Sequence, residues 1–389
     1  MARIFRPTFL SVFNLTNTEI GICFSTYGIV ALVSYLFGGV IADRFEPRKL
    51  MGTALVLTGI GGLYLATIPS YAMLKILYGY WGFTTIFLFW APMIKATRIW
   101  GGTNNQGKAF GYLDGGRGLV AALFGVLGVF VFSLFLPEGE VTDATVRTEA
   151  FIYVLIITSI LVCLVGGLTY YALKIKVGDV LVKEKKSHSV TAIVKVLKLP
   201  SVWLLMLIIL CAYVGYKVTD IFSQFANEVM KYDEVASAKT GTFLLFIRPF
   251  VGVIIGFLAD KSKASLYLVG GFALSVVAAL FFASGWLVPG QNFFFLSTIF
   301  IAAVGIYAAR VLYFAVMEEG KIPLHLTGTA VGVISFIGYT PDIFAGPLTG
   351  YLLDRSPGEQ GFLDVFWALA LFSAVGLIAA LIYWKMYRK

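Results

Sequence analysis

The stretch GGVIADRFEPRKLM, residues 38 to 51, ends a long apolar run with a cluster of charge. Five of its residues are charged within seven positions: Asp43, Arg44, Glu46, Arg48 and Lys49. The chain has 389 residues, of which 59% are hydrophobic and 13% are charged. Soluble proteins carry about a quarter charged residues. A water-soluble fold cannot bury this much apolar surface, so the composition predicts a membrane protein.

Long apolar runs recur along the whole chain and predict an all-α, multi-pass membrane protein. Each run can cross a hydrocarbon core of about 30 Å as a helix, whereas a barrel would need short alternating segments. We expect no cleavable signal peptide, and we expect the three cysteines to be small buried apolar residues. We predict eleven spanning helices, at residues 19–42, 50–69, 71–96, 107–135, 149–173, 201–225, 236–259, 264–288, 291–316, 326–352 and 361–384.

The distribution of lysine and arginine predicts which helix ends face the cytoplasm. With the 43–49 turn placed inside, 19 of the 30 basic residues fall on the inner face and 7 on the outer face. Arg3 and Arg6 are counted on the outer face, and the C-terminus is cytoplasmic. This asymmetry explains the net charge of +9 without a nucleic-acid partner. The compact loops favour a bacterial cytoplasmic (inner) membrane.

The longest polar stretch, residues 174–200, predicts the domain organisation. We expect it to be a cytoplasmic loop between an N-terminal bundle, residues 1–173, and a C-terminal bundle, residues 201–389. Five predicted helices precede this loop and six follow it. The charged junction also has an echo, GFLADKSKAS, at residues 256–265. Gly39, Ala42 and Asp43 match Gly256, Ala259 and Asp260 at an offset of 217 residues, which indicates an internal repeat of six helices without its first helix.

The two junctions resemble a known signature. GVIADRFEPRK, residues 39–49, resembles the loop between helices 2 and 3 of the major facilitator superfamily, and GFLADK, residues 256–261, resembles its weaker copy between helices 8 and 9. The first copy departs from the family pattern at Glu46 and Pro47. The resemblance implies a secondary transporter with two pseudo-symmetric helical bundles, 5 + 6 helices here and 6 + 6 in the family. For the missing helix we expect a start site assigned too late, or a naturally shortened chain.

The resemblance also implies a gate at the inner face. Gly39 allows close approach of another helix, and Asp43 can accept hydrogen bonds from the N-terminus of a helix in the other half. Asp114 and Arg117 lie three residues apart near an inner helix end, with Arg48 a candidate partner for Asp114. A short basic turn with no gating role is the alternative. The predicted gating residues are Gly39, Asp43, Arg44, Arg48, Asp114, Arg117, Gly256 and Asp260.

Ionisable residues inside spanning helices are costly and usually functional. Arg248 lies 12 residues before Asp260, about 18 Å from the inner helix end, and its counterpart in the first half is Ala31. A basic charge near mid-membrane that is absent from the repeated scaffold suits the anionic group of a substrate. An internal ion pair is the alternative. Arg310 and the nearby Tyr307 belong either to the cavity or to packing.

Two acidic residues are candidates for carrying a coupling proton. Asp220 lies three residues after Lys217 on one helical face, so the pair can trade a proton or a salt bridge, or simply neutralise itself. Asp342 follows Pro341 and is either a proton site or the cap of a broken turn. The predicted substrate-binding residues are Arg248, Lys217, Arg310, Tyr213, Gln224 and Tyr307, and the predicted proton-coupling residues are Asp220 and Asp342.

These features predict a secondary active transporter that moves a small organic anion or sugar-like acid by alternating access, with H⁺ as the coupling ion. We expect a monomer among membrane lipids, with no cofactor and no metal. An enzyme is not expected, because no nucleophile–base pair is visible in the sequence. The nucleoside-triphosphate motif GxxxxGK[ST] does not occur, so we expect an ion gradient to supply the energy. Efflux of drugs or metabolites, and a truncated family member that does not transport, are the alternatives.

Overall fold

The computed structural model describes residues 1–101, 106–136, 144–173, 190–312, 315–317, 319–322 and 327–387. These residues are almost entirely helical, and no β-strand occurs among them. The α-helices are α1 Arg6–Phe13, α2 Asn17–Arg44, α3 Pro47–Leu65, α4 Tyr71–Gly82, α5 Ala91–Gly101, α6 Gln106–Leu134, α7 Ala144–Ala172, α8 Val190–Leu197, α9 Pro200–Val218, α10 Phe222–Glu228, α11 Glu234–Asp260, α12 Ala264–Ala283, α13 Asn292–Leu312, α14 Thr327–Gly338, α15 Pro341–Arg355 and α16 Glu359–Tyr387.

Ten helical stretches of the described chain are long and apolar enough to cross a membrane. The eleventh predicted helix is present as α3, which has 19 residues but begins with Arg48 and Lys49 and is therefore less apolar. The all-α, multi-pass prediction is confirmed. The ten stretches are Asn17–Tyr35, Tyr71–Thr97, Gly115–Leu134, Ala144–Ala172, Pro200–Glu228, Glu234–Ala259, Ala264–Ala283, Asn292–Leu312, Ala330–Arg355 and Glu359–Tyr387.

Three of these stretches are not continuous α-helices. Between α4 and α5 the chain forms a π-helical stretch, Phe83–Trp90. Between α9 and α10 a 3₁₀ turn covers Thr219–Ile221. The predicted helix 326–352 is divided into α14 and α15, because Pro341 has no N–H to continue the hydrogen-bond ladder. Breaks of this kind occur in membranes only where the backbone is buried in protein or lines a cavity.

Two helix pairs join the first and second halves of the chain. Helix α2 packs along α15, and α6 packs along α11. Within the halves, α3 packs on α7 and α12 packs on α13 and α16. The division into bundles at residues 174–200 stays a prediction, since residues 174–189 lie outside the described chain.

The α2–α15 pair shows where the two halves are in contact. We call the end with the 43–49 turn and the 261–263 turn the basic end, and the other end the opposite end. At the opposite end a Cβ at Gly21 would lie 2.6 Å from the carbonyl carbon of Gly346, and toward mid-depth a Cβ at Gly28 would lie 2.6 Å from the carbonyl oxygen of Asp342. Only glycine permits this approach, so the seam is tightly closed there.

The α6–α11 pair is in contact at mid-depth. A Cβ at Gly125 would lie 2.9 Å from Thr242, and one at Gly118 would lie 3.1 Å from Pro249. Closer to the basic end, a Cβ would meet no atom within 4 Å at Gly115, Gly116, Gly256 or Gly332. The described halves therefore enclose a site at mid-depth that is closed toward the opposite end.

Candidate functional site

A cluster of arginines around one tyrosine ring lies at the centre of the molecule. The Tyr216 ring, on the last turn of α9, has the guanidinium carbon of Arg310 3.6 Å from its centroid, that of Arg3 at 4.5 Å and that of Arg248 at 5.9 Å. The three arginines come from α13, the N-terminal segment and α11. The structure thus brings together Arg248 and Arg310, two of the predicted substrate-binding residues.

Arg3 was not predicted as a site residue, and its predicted place at the outer face is wrong. Its side chain is 20% exposed and pairs with Asp220, whose side chain is 11% exposed. Arg6 is likewise only 2% exposed and lies in the interior. In the sequence, the two arginines could be noticed only because they stand just before a short apolar run, TFLSVF. Arginines in this position are also typical of a membrane boundary, so the pattern does not indicate an interior site.

Lys217 and Asp220 do not pair with each other. The Lys217 ammonium lies 2.6 Å from a carboxylate oxygen of Asp342, whereas Asp220 pairs with Arg3. The reason is local: α9 ends at Val218, and the 3₁₀ turn that follows changes the direction of the next side chains. The prediction of a mutual pair on one helical face is therefore corrected to two separate pairs.

Asp342 has a second partner. The Tyr213 hydroxyl donates to both carboxylate oxygens, at 3.1 and 3.2 Å. The carboxylate is thus held by a lysine and a tyrosine of α9, and it joins α9 to the start of α15. Its alternative role as the cap of a broken turn is compatible with these contacts, because Asp342 is the second residue of α15.

A small cavity lies between the two ion pairs. Its volume is about 10 Å³, the space of one water-sized sphere, and its lining includes Arg6, Lys217, Asp220, Asp342 and Thr349. Both predicted proton-coupling carboxylates therefore border the same space. A cavity of this size has room for at most one water molecule.

Gln224 and Tyr307, two further predicted substrate-binding residues, are buried among other side chains. Gln224 is 1% exposed; its carbonyl accepts a hydrogen bond from Arg6 at 2.6 Å, and its amide donates to Glu228 at 2.8 Å. Tyr307 is also 1% exposed and belongs to the apolar core of the second half. Both residues lie near the arginines, and their predicted contact with a substrate stays a prediction.

Five basic side chains gather in the central region, and none of them is exposed. Burial of an ionised group is costly unless an opposite charge compensates it. Asp220 forms an ion pair with Arg3, and Asp342 forms one with Lys217. The five basic residues are Arg3, Arg6, Lys217, Arg248 and Arg310.

The predicted gate is described only in part. Arg48 donates to Glu46 at 2.7 Å. This hydrogen bond lowers the pKa of the Glu46 carboxyl. The predicted pairing of Arg48 with Asp114 lies outside the described residues. Arg44 is exposed, and Lys95 donates to the carbonyl of Ala42 at the end of α2, at 2.6 Å.

The remaining gating predictions divide into two groups. The guanidinium carbon of Arg117 lies 5.0 Å from the centroid of a ring of Trp90, and Gly256 faces open space. The surroundings of Gly39, Asp43, Asp114 and Asp260 lie outside the described residues.

As to metals, no group of three or more His, Cys, Asp or Glu side chains that could hold an ion is found in the part of the chain that the structure describes.

Two helical halves around a buried, charged site that is closed at one end define a multi-pass membrane protein of the transporter class. Residues 1–346 match the family model of the Major Facilitator Superfamily. The chain belongs to this family, and the resemblance inferred from the two junctions is confirmed.

Relatives of similar length are membrane proteins. Inner membrane protein YqcE of Escherichia coli (strain K12) is 28% identical over 371 residues, which cover 93% of this chain and 84% of the relative. Inner membrane protein YihN of the same strain is 27% identical over 377 residues, 95% of this chain and 87% of the relative. A probable hexose phosphate transport protein of Chlamydia muridarum is 25% identical over 126 residues, 31% of this chain and 26% of the relative.

Solved transporter structures share the fold. A bacterial homolog of the human lysosomal transporter Spinster, in an inward-facing and occupied conformation, superposes with a TM-score of 0.70, 15% identity, and coverage of 99% of this chain and 92% of that one. The nucleoside transporter NupG superposes with a TM-score of 0.71, 14% identity, and coverage of 98% and 96%. At these identities the likeness shows the fold alone.

Proposed function

We propose that this chain is a secondary active transporter of a small organic anion, which binds at the arginine cluster and moves by alternating access. The observation that carries the proposal is the convergence of Arg3, Arg248 and Arg310 on Tyr216. Guanidinium groups recognise phosphate and carboxylate through paired hydrogen bonds, and a closed, poorly solvated site strengthens them. Efflux of lipophilic cations would instead call for an excess of carboxylates.

A phosphate-bearing solute is the anion that we favour. The probable hexose phosphate transport protein of Chlamydia muridarum is similar over 126 residues, which supports this class. A phosphate ester carries up to two negative charges and several acceptor oxygens, so it can accept more hydrogen bonds from converging arginines than a monocarboxylate can. Sugar acids and dicarboxylates are the second choice.

Proton coupling is proposed for the two carboxylates at the central cavity. Asp342 forms an ion pair with Lys217 and accepts a hydrogen bond from Tyr213. Asp220 forms an ion pair with Arg3. A proton that neutralises either carboxylate releases its basic partner, and the released partner can then pair with the anion. Substrate binding and protonation therefore favour each other.

The test is thermal stabilisation of the purified chain by a solute panel of inorganic phosphate, sugar phosphates, sugar acids, neutral sugars and lipophilic cations. A ligand stabilises the state that it binds by RT ln(1 + [L]/Kd), about 2.7 kcal/mol at a hundredfold excess. We expect a phosphate-bearing solute to stabilise the wild type and the control Arg355→Ala, which changes an exposed arginine at the opposite end. We expect no stabilisation of Arg248→Ala.

The outcomes separate the alternatives. Stabilisation by cations alone would replace the proposal by efflux, and an equal response of Arg248→Ala would make Arg248 structural. For an anion that binds, uptake into proteoliposomes with and without a pH gradient tests coupling. We expect an imposed proton gradient to raise the initial rate in the wild type and to have little effect in Asp342→Asn.

A further inference from the structure

The arginine cluster presents an electrostatic problem in the absence of a ligand. Three guanidinium groups lie within 6 Å of the centroid of one ring. Arginine stays protonated at any physiological pH, so the cluster cannot reduce its repulsion by releasing protons. Repulsion between like charges is stronger in a poorly solvated interior than in water. Contacts with the protein therefore have to keep the three side chains together.

The Tyr216 ring is the feature that all three share. The face of an aromatic ring carries negative electrostatic potential and attracts a cation within about 6 Å of its centroid, more strongly when the cation is desolvated. The distances are 3.6 Å for Arg310, 4.5 Å for Arg3 and 5.9 Å for Arg248. Asp220 contributes a full negative charge, but its ion pair is with Arg3.

We infer that Tyr216 is a positioning residue: its ring gathers the three arginines into a preformed anion site. This inference rests on the proposed function, and it adds which side chain organises the site. Binding an anion to dispersed arginines would require their ordering, and a site that is already assembled avoids that cost. The arginines then need only shift from the ring toward the anion.

The backbone around Tyr216 holds the ring at a defined place. The ring lies on the final turn of α9, and the Thr219 hydroxyl donates to the Tyr216 carbonyl at 2.7 Å where the helix changes to 3₁₀ geometry. The neighbouring residue, Gly215, faces Ile306 of α13, which its Cβ would approach to 3.3 Å. The ring of Tyr213 lies 5.6 Å from that of Tyr216. The ring position is therefore set by packing on α13 and by the helix break.

The first experiment separates the ring from its hydroxyl. Affinities of inorganic phosphate and of glucose 6-phosphate for the full chain in detergent are measured in wild type, Tyr216→Phe and Tyr216→Leu, with a fluorinated phenylalanine of nearly the same shape as a fourth variant at this position. Fluorination removes the negative potential of the ring face. We expect Kd within about threefold of wild type for phenylalanine, and at least tenfold weaker binding for leucine and for the fluorinated ring.

Two outcomes of that experiment would overturn the inference. If the fluorinated ring binds as tightly as phenylalanine, the ring acts by shape and not by its electrostatic potential. If phenylalanine is as weak as leucine, the hydroxyl is the contact that matters. A structural role alone would not follow the fluorination series, because nearly the same volume is packed in each case.

The second experiment needs no ligand and distinguishes failure of this inference from failure of the proposed function. Melting temperatures are measured for Tyr216→Leu, Arg310→Gln and the double variant, all without anion. If the ring holds the arginines, Tyr216→Leu lowers the melting temperature less in the Arg310→Gln background than in wild type. Additive changes would overturn the inference even if an anion is transported. Non-additive changes without anion binding would retain the gathering of the arginines by Tyr216, but would reject the anion site and with it the proposed function.

Discussion

The two ends of the seam between the halves differ in how they are held. At the opposite end, backbone atoms of α2 and α15 approach each other at Gly21 and Gly346, and carboxylates bind across the seam. At the basic end, a Cβ at Gly115 or Gly256 would meet nothing within 4 Å. The seam is thus closely packed at the opposite end, whereas the described glycines of the basic end face open space. The central site lies between these two ends.

Hydrogen bonds to a helix N-terminus hold the closed end. Asp354, near the end of α15, accepts hydrogen bonds from the backbone N–H groups of Asn17 at 3.0 Å and Thr18 at 2.7 Å, the first residues of α2. A carboxylate at this position satisfies two unpaired donors and complements the helix dipole. Nearby, Glu234 of α11 accepts from Thr8 at 3.1 Å and pairs with Arg147 of α7.

The difference shows that two kinds of contact hold the closed end. One is direct backbone packing at glycines, and the other is charged hydrogen bonds that can be broken. Alternating access requires this end to open and the other to close, so these contacts have to be weak enough to exchange. With the basic end taken as cytoplasmic, the described contacts close the outer end under the proposed function. Each prediction below alters one part of this contrast, and they run from the largest expected effect to the smallest.

The largest effect is expected from filling the closed end. In Gly21→Val the new Cβ would lie 2.6 and 2.8 Å from backbone atoms of Gly346 and Pro347, which cannot move as a flexible side chain could. We expect transport of the identified anion to fall by more than tenfold, while the protein stays folded and open at the opposite end. Uptake into proteoliposomes measures the loss. Gly332→Val, in open space, is the control, and equal activity of both variants would contradict the packing argument.

The second prediction concerns the ion pair at mid-depth. Removal of one partner leaves a buried charge, so Lys217→Met should lower the free energy of unfolding by about 3–5 kcal/mol. The double variant Lys217→Met with Asp342→Asn should recover most of this loss, because no charge is left uncompensated and Tyr213 can still bond to residue 342. Denaturant melts of the purified chain measure both. A double variant as unstable as the sum of the singles would show that the pair is not coupled.

A smaller effect is expected from the helix cap. Asp354→Asn keeps the shape of the side chain but removes its charge, and loss of an N-cap interaction costs about 0.5–2 kcal/mol. We expect the population open at the opposite end to rise by up to about tenfold, since 1.4 kcal/mol corresponds to a factor of ten. Spin labels on α2 and α15 at that end report the change as a longer distance.

The matched control is Asp364→Asn. Asp364 lies on α16 at the same end, and it accepts a hydrogen bond at 3.0 Å from Gln360, four residues earlier in the same helix. An equal lengthening in both variants would attribute the effect to surface charge rather than to the cap of α2.

The smallest effect is expected at the basic end. Glu46 accepts from Arg48 at 2.7 Å, but both side chains are more than a third exposed, at 46% and 34%. Exposed pairs of this kind contribute little. Since the pKa of Glu46 is lowered, the pair acts above the usual carboxyl pKa and is lost as the pH falls through the lowered value. Melting temperatures of Glu46→Gln and wild type should therefore agree at pH 7. A clear drop would mean that this turn is held more tightly than its exposure indicates.

The spanning helices and the family could be predicted from the sequence, because both depend on local patterns. Apolar runs set the helices, and the repeated Gly–Ala–Asp junctions at Gly39 and Gly256 indicated the repeat. Arg248, Arg310 and Asp342 could be singled out because charge inside an apolar run stands out. The sequence did not predict how these three residues are arranged relative to one another.

Three features escaped prediction for a physical reason. Arg3 lies before the first apolar run, where an interior residue and a membrane-boundary residue have the same pattern. The separation of Lys217 from Asp220 depends on a helix break at Thr219 that no proline or glycine marks. The role of Tyr216 depends on contacts from three distant segments.

The sequence by itself determined the solvent, the helices and the family, since hydropathy and the repeated junctions act through neighbouring residues along the chain. Tertiary structure alone decided which charges pair, which end is closed, and where the basic charges converge. Lys217 pairs with a carboxylate 125 residues away, and Arg3 with one 217 residues away. Such partners are chosen by the packing of whole helices, which brings distant charges together in a medium where an unpaired charge is costly.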